Sequence, residues 1–224
     1  MTRLSDCAEF QRLLPAETAS SGDEIHSALG GSTMAPTARK KFFIYAAIVI
    51  IVCGATLLSI VAAPGLPGLF GAALALLMIA IAIVDARSFI IPDQLSLAAF
   101  LLALANTSQI GFEGAPESII IAASRGVVLS LAFFGFREIY WRARKRQGIG
   151  LGDVKLAAVA GAWLEWTLVP VAIEIAALAA LAAYVLGGLL AHRPLRGGAR
   201  LPFGLFFAPA IWLCWLLEAA FYEY

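Results

Sequence analysis

Seven blocks of apolar residues occupy most of the chain between positions 42 and 221. Several reach or exceed the ~18 residues at which an apolar run marks a membrane-spanning helix. No other feature restricts the fold as strongly. The blocks cover residues 42–62, 66–85, 95–110, 117–140, 148–166, 168–191 and 203–221. Each is near the length that crosses ~30 Å at 1.5 Å per residue, with the third the shortest. Composition agrees, because 61% of residues are hydrophobic and only 14% charged, whereas a soluble surface needs roughly 25% charged residues. No soluble domain fits between any two blocks. The expectation is an all-α polytopic membrane protein of about seven transmembrane helices, packed as one domain over residues 39–224.

Residues 1–38 are polar, rich in Ser, Ala, Thr and Gly. They lack the apolar core of a signal peptide. They are expected to be a disordered cytosolic tail, with a misassigned start codon as the alternative. Cys7, Cys53 and Cys214 are far apart, with no CxxC pair and no metal-ligand spacing. Neither a metal site nor a disulfide framework is expected, and no cofactor. A net charge of +1 points to no nucleic-acid partner.

The basic residues instead set orientation. Arg39, Lys40 and Lys41 precede the first block, and Arg87 follows the second. Arg142, Arg144, Lys145 and Arg146 follow the fourth, and Arg193, Arg196 and Arg200 follow the sixth. The opposite loops at 63–65 and 111–116, and the turn at Trp166, carry no Lys or Arg. With seven crossings every basic cluster falls on one face, which the positive-inside rule makes cytoplasmic. The expected topology has the N-terminus inside and the C-terminus outside, in a bacterial inner membrane. The cluster from Arg142 to Arg146 reads as a topology anchor in contact with anionic lipid.

An ionisable group inside such a block is costly and requires a reason. Asp85 closes the second block, in IAIVDARSFIIPDQL, and the apolar run resumes at once, so its carboxylate is expected just below the membrane surface. Asp153 lies in GIGLGDVKLAAVAGAW, ~7 Å into the fifth block. The second block runs inward and the fifth outward, so both acids reach similar depth near the cytoplasmic boundary. Two carboxylates close together in a poorly hydrated site share a proton. The ionised one can then serve as general base on a water while the protonated one polarises a scissile carbonyl. That is aspartic protease chemistry, without metal or covalent intermediate. The competing account is that Asp85 caps a helix end or pairs with Arg87, and that Asp153 pairs with Lys155. Gly148, Gly150 and Gly152 alternate ahead of Asp153. They would let the backbone bend and approach closely, or simply form a flexible loop or a close helix contact.

The GLGD of residues 150–153, continued as VKLAA, closely resembles the GxGD signature of type IV prepilin peptidases. DARSFIIPDQLSL from Asp85 resembles that family's other aspartate segment, an Asp followed by Ile-Pro-Asp/Asn and a new helix. LPFGLFFAPA from Leu201 is similar to its Pro-Phe-Gly-Pro segment, with Leu205 where the family usually has proline. The likeness extends over roughly residues 66–215 and implies Asp85 and Asp153 as the catalytic pair. The implied substrate is a prepilin or pseudopilin with a short basic leader, cut after glycine on the cytoplasmic side. The larger bifunctional members carry paired CxxC motifs in a cytosolic segment and also methylate. This chain has neither and resembles the short, peptidase-only form of tight-adherence (Flp-type) pilus systems.

Of the supporting residues, Asp93 follows Pro92 and is expected to be the N-cap of the third helix. Lys155 is expected to snorkel to the interface and could lower the pKa of Asp153. Pro202, Phe203 and Gly204 would shape a substrate groove or start the last helix. Arg125 and Glu174, about 12 and 9 Å deep from the outer side, are expected to pair as a structural brace, and His26 and His192 to be solvated. Two other classes compete: a small proton-coupled transporter using intramembrane acids, and a non-catalytic scaffold. A presenilin-like protease shares GxGD but not the Ile-Pro-Asp segment. The oligomeric state is not legible.

Overall fold

The computed structural model describes residues 36–108, 115–145, 150–190 and 202–221. Residues 1–35, His26 among them, and Gly148, Arg146, His192, Arg193, Arg196 and Arg200 lie outside the described residues. Among the described residues there are seven helices and no strand: α1 (Pro36–Ala62), α2 (Leu66–Ser88), α3 (Asp93–Thr107), α4 (Ala115–Arg144), α5 (Leu151–Trp163), α6 (Leu168–Leu190) and α7 (Gly204–Phe221). Contacts divide the chain at Ala47, so only the first part of α1 falls in the first unit and everything from Ile48 onward in the second.

Five of the helices are long and apolar enough to cross a membrane: Ile44–Ala62, Leu66–Ser88, Ser118–Arg144, Leu168–Leu190 and Gly204–Phe221. The protein is thus an all-α polytopic membrane protein. The expected third and fifth crossings are helices too, but α3 has 15 residues and α5 has 13. At 1.5 Å per residue these reach only about 20 Å, short of the apolar thickness.

Shortness in α5 goes with a central position. Leu156, Ala157, Val159 and Ala160 have no exposed surface, and α5 packs against α3, α4 and α7. Small residues permit the tightest of these approaches. A Cβ on Gly161 would lie 2.6 Å from the Arg125 carbonyl oxygen and 2.9 Å from the Gly126 Cα, so α4 and α5 touch backbone to backbone. Such contacts suit an apolar solvent, where close packing rather than water exclusion drives association. Trp163 at the end of α5 donates its indole N–H to the buried Ala99 carbonyl of α3 (2.9 Å) and meets Trp215 of α7 edge-on.

On the other side of the core, the Trp215 ring lies where a Cβ on Gly71 of α2 would stand. Ser59 of α1 is fully buried and fully used: it donates to the Ala55 carbonyl (2.9 Å) and accepts from the Trp212 indole (3.0 Å). The surfaces turned away from this core are apolar, with Ile50, Val61, Ile121, Leu131, Leu178 and Leu189 all more than half exposed. Such outward apolar faces suit hydrocarbon rather than water.

Candidate active site at the N-termini of α5 and α7

α2 ends one turn after Asp85. Phe89 takes a left-handed conformation (φ 54°) and donates its N–H to the Asp85 carbonyl (2.9 Å). After that turn Ile90 and Ile91 lie outside any helix, Pro92 is extended, and α3 begins at Asp93. Asp85 itself is 5% exposed. Its Oδ2 accepts the N–H of Leu205 at 2.9 Å. The first N–H groups of a helix have no partner within it, and the positive end of the helix dipole favours an anion there. Asp85 of α2 therefore caps α7 across 120 positions of sequence.

Asp153 does the equivalent for its own helix. It is the third residue of α5, half-buried, and its Oδ2 accepts the Gly150 N–H at 3.1 Å. Each acid thus has one oxygen fixed by a backbone donor at a helix N-terminus. Burial pushes the Asp153 carboxyl up to about 6 against the opposing Gly150 N–H, and the charge of Asp85 adds to that rise.

One side chain links the two halves. Ile91 is 5% exposed. A Cβ on Gly152 would lie 2.9 Å from its Cδ1, and a Cβ on Gly204 would lie 2.8 Å from the same atom and 2.8 Å from Asp85 Oδ2. The ends of α5 and α7 close on Ile91 because both present glycine to it. The GLGD segment, the IPD segment and the PFG segment, distant in sequence, meet at this residue.

Several expectations change at this corner. Among the described residues Asp93 makes no side-chain cap; Pro92 is the N-cap of α3, and the Asp93 carboxylate pairs with the ammonium of Lys155. Lys155 accordingly reaches across to α3 instead of pairing with Asp153. Gly150 has an ordinary extended conformation (φ −75°) and Gly152 is helical, so neither bends the chain in a way only glycine allows. Gly152 is needed for closeness to Ile91, and Gly148 lies outside the described residues. Pro202 and Phe203 lead into α7, with the Phe203 carbonyl accepting from Phe206 (3.0 Å) and Phe207 (2.9 Å). The Phe203 ring packs on Phe207, which stacks on Phe133 of α4.

The Arg125–Glu174 brace is not formed among the described residues. The charge of Arg125 reaches Glu218 of α7 instead, without an ion pair at contact distance among the described residues. Glu174 borders an apolar cleft of ≈ 440 Å³ between α4 and α6, with Phe133, Phe136, Trp166 and Ile173. Equal depth in the membrane does not set azimuth around a helix, so depth alone does not bring two side chains together. Two contacts at this corner have no signal in the sequence: that of Ile91, one apolar residue in an apolar run, and that of the Leu205 backbone N–H, which no side-chain pattern reveals.

Residues 72–192, more than half of the 224-residue chain, match the type IV leader peptidase family. The prepilin leader peptidase/N-methyltransferase of Escherichia coli (strain K12) is 28% identical over 157 residues, covering 69% of this chain and 68% of that protein. The protein of the same name from Aeromonas hydrophila is 29% identical over 154 residues, covering 69% and 51%. Leader peptidase HopD of Escherichia coli is 41% identical over 78 residues, covering 34% and 50%. The chain thus spans about half to two thirds of the length of these curated relatives. No solved structure matches it. The matched segment contains Asp85, Ile91 and Asp153, three of the residues that meet at the acid corner, and by that match the chain belongs to the type IV leader peptidase family.

Proposed function

We propose that the protein is a membrane aspartic endopeptidase that removes the short basic leader of prepilins or pseudopilins, with Asp85 and Asp153 as the catalytic pair. The observation that carries this reading is the meeting of two acids from separate helices at one corner, each oriented by a backbone N–H and both beside the shared contact of Gly152 and Gly204 with Ile91. Two carboxylates so placed cannot both ionise cheaply and share one proton. The ionised carboxylate takes a proton from water, and the resulting hydroxide adds to the scissile carbonyl carbon. The protonated partner hydrogen-bonds to the carbonyl oxygen and gives it a proton as the tetrahedral species forms. Collapse of that species breaks the C–N bond, with a proton passing to the leaving amine. Water is consumed, and no metal is invoked.

The substrate follows from the position of the corner. With basic clusters inside, the N-terminus is cytoplasmic, the C-terminus outside, and the two acids sit at the cytoplasmic boundary of the inner membrane. A leader whose basic residues stay in the cytosol, ahead of an apolar helix in the bilayer, brings its scissile bond to that level. The proposal covers hydrolysis; the methyltransferase named for the relatives is not carried over. Its test is a membrane assay with a reporter precursor: a short basic leader ending in glycine, then an apolar helix. Asp85→Asn and Asp153→Asn should each leave the precursor whole. Cleavage by either variant at the wild-type rate rejects the catalytic pair and returns the transporter and scaffold readings to the front.

A further inference from the structure

The acid corner is built around a residue that carries no chemistry. Ile91 lies in the segment between α2 and α3, and its Cδ1 is wedged between Gly152 of α5 and Gly204 of α7. Those glycines immediately precede Asp153 and Leu205, and Leu205 is the donor to Asp85. Two positions further along the chain, Asp93 forms its ion pair with Lys155, itself two positions beyond Asp153. The same short segment is therefore attached to α5 twice, by an apolar wedge and by a charge pair.

We propose that Ile91 is a positioning residue: its side chain is the spacer that sets the separation of the α5 and α7 N-termini, and so of Asp85 and Asp153, while the Asp93–Lys155 pair holds it in place. This rests on the proposed catalytic pair and adds to it what fixes the distance between its members. A loose spacer changes alignment of the acids with the reacting atoms without touching substrate. Its loss should lower kcat and spare KM, because small misplacements of reacting groups cost about tenfold to a hundredfold in rate.

The experiment uses the full chain in membranes and the same reporter precursor. Ile91→Ala is expected to lower kcat about tenfold with KM moved less than twofold, and Gly152→Ala, which forces a methyl against Ile91, to do the same. The double variant Ile91→Ala/Gly152→Ala restores a methyl to the contact and should recover kcat to within about threefold of wild type, a non-additivity expected only of groups in direct contact. Asp93→Ala and Lys155→Ala should each cost about threefold to fivefold, as suits a partly exposed pair. The exchange Asp93→Lys/Lys155→Asp should recover most of that loss, which a charge acting on Asp153 would not allow. Where Ile91→Ala fails to accumulate, Ile91→Val, which lacks only the wedged methyl, should show about a threefold loss in kcat.

A readout independent of cleavage uses Asp85→Cys/Asp153→Cys in a chain with Cys7, Cys53 and Cys214 replaced by alanine. A short thiol cross-linker should join the two cysteines efficiently, and adding Ile91→Ala should cut the yield at least twofold. Wild-type kcat in Ile91→Ala, strictly multiplied losses in the double variant, or an unchanged cross-linking yield overturns the spacer. Loss of the spacer inference leaves the Asn variants inactive. Loss of the catalytic pair leaves those variants cutting, while the cross-linking result stands.

Discussion

Two groups of ionisable residues lie within the helical body, and they are treated differently. At the acid corner, Asp85 and Asp153 each accept a backbone N–H from the first turn of a helix, and no cation is paired with either among the described ion pairs. The nearby ammonium, Lys155, is engaged by Asp93. Elsewhere, Glu218 of α7 accepts the backbone N–H of Glu165 and feels the charges of Glu165 and of Arg125 on α4. There, Arg125 Nε and Glu218 Oε2 are buried and have no hydrogen-bond partner among the described residues. Both groups hold their acids with backbone donors; only the second adds an opposite charge. Orientation by neutral dipoles leaves a carboxylate free to exchange protons. Compensation by an opposite charge reduces the cost of burying it and gives up that freedom. The first arrangement suits chemistry and the second suits structure.

That contrast breaks most readily through the acids themselves. On the proposed reading Asp153→Asn should lower leader cleavage by about a thousandfold, within the range attributed to a positioned acid or base. Glu218→Gln, an equally conservative change, should leave the rate within twofold of wild type. Precursor-to-product ratios in isolated membranes measure both. A large rate effect at Glu218 would erase the distinction between the groups.

The next largest effect belongs to the backbone that holds Asp85. Gly204→Ala would place a methyl 2.8 Å from both Asp85 Oδ2 and Ile91 Cδ1. Something must shift, and the carboxylate is the neighbour that matters. A fall in kcat of about ten- to a hundredfold is expected, with the protein still accumulating. Gly135, which has nothing within 4 Å of its Cβ position, provides the control: Gly135→Ala should be silent in the same assay.

For the compensated group the measurable quantity is stability. Arg125→Met leaves the Glu218 carboxylate without the Arg125 charge, and about 1 kcal/mol or less should be lost, because the two groups are half-buried and form no contact ion pair. Adding Glu218→Gln should restore much of the loss, since the stranded charge is then gone. Unfolding midpoints in detergent, compared across the two single variants and the double, give the coupling directly.

The sequence made the helical architecture plain because block length and apolarity are one-dimensional properties. Each of the seven expected blocks overlaps one of the seven helices of the described residues, and the two acids stand out because a charge in an apolar run is conspicuous. What stayed hidden was rotation about helix axes and everything done by backbone. Depth alone points Arg125 at Glu174, whereas no ion pair joins the two among the described residues. Gly152 and Gly204 were noticed as glycines, but their reason, room for Ile91, exists only once α5 and α7 are packed. Asp93 had the sequence context of a helix cap. The chain instead uses it between helices, because Pro92 already occupies the capping position.

The smallest expected effect separates the hydrogen bond to Asp85 from everything else around it. Leu205 is the second residue of α7, and its N–H is the donor. In the first turn of a helix that N–H has no partner within the helix, so proline is tolerated there while lacking the donor. Leu205→Pro, which installs the residue type IV prepilin peptidases usually have here, deletes this hydrogen bond and leaves the Gly204 backbone donor to Asp85, with little harm to the helix, whereas Leu205→Ala shortens the side chain and keeps the bond. Asp85 would retain its burial and its neighbours but lose one orienting dipole. A fall in kcat of about threefold to tenfold is expected for Leu205→Pro, matching the ~0.5–1.5 kcal/mol net worth of a hydrogen bond, and none beyond twofold for Leu205→Ala. Equal losses in both variants would mean that the leucine side chain, not the amide, supports the acid. Wild-type activity in both would mean that Ile91 and Gly204 alone suffice to hold Asp85, and the distinction between oriented and compensated acids would then rest on packing rather than on dipoles.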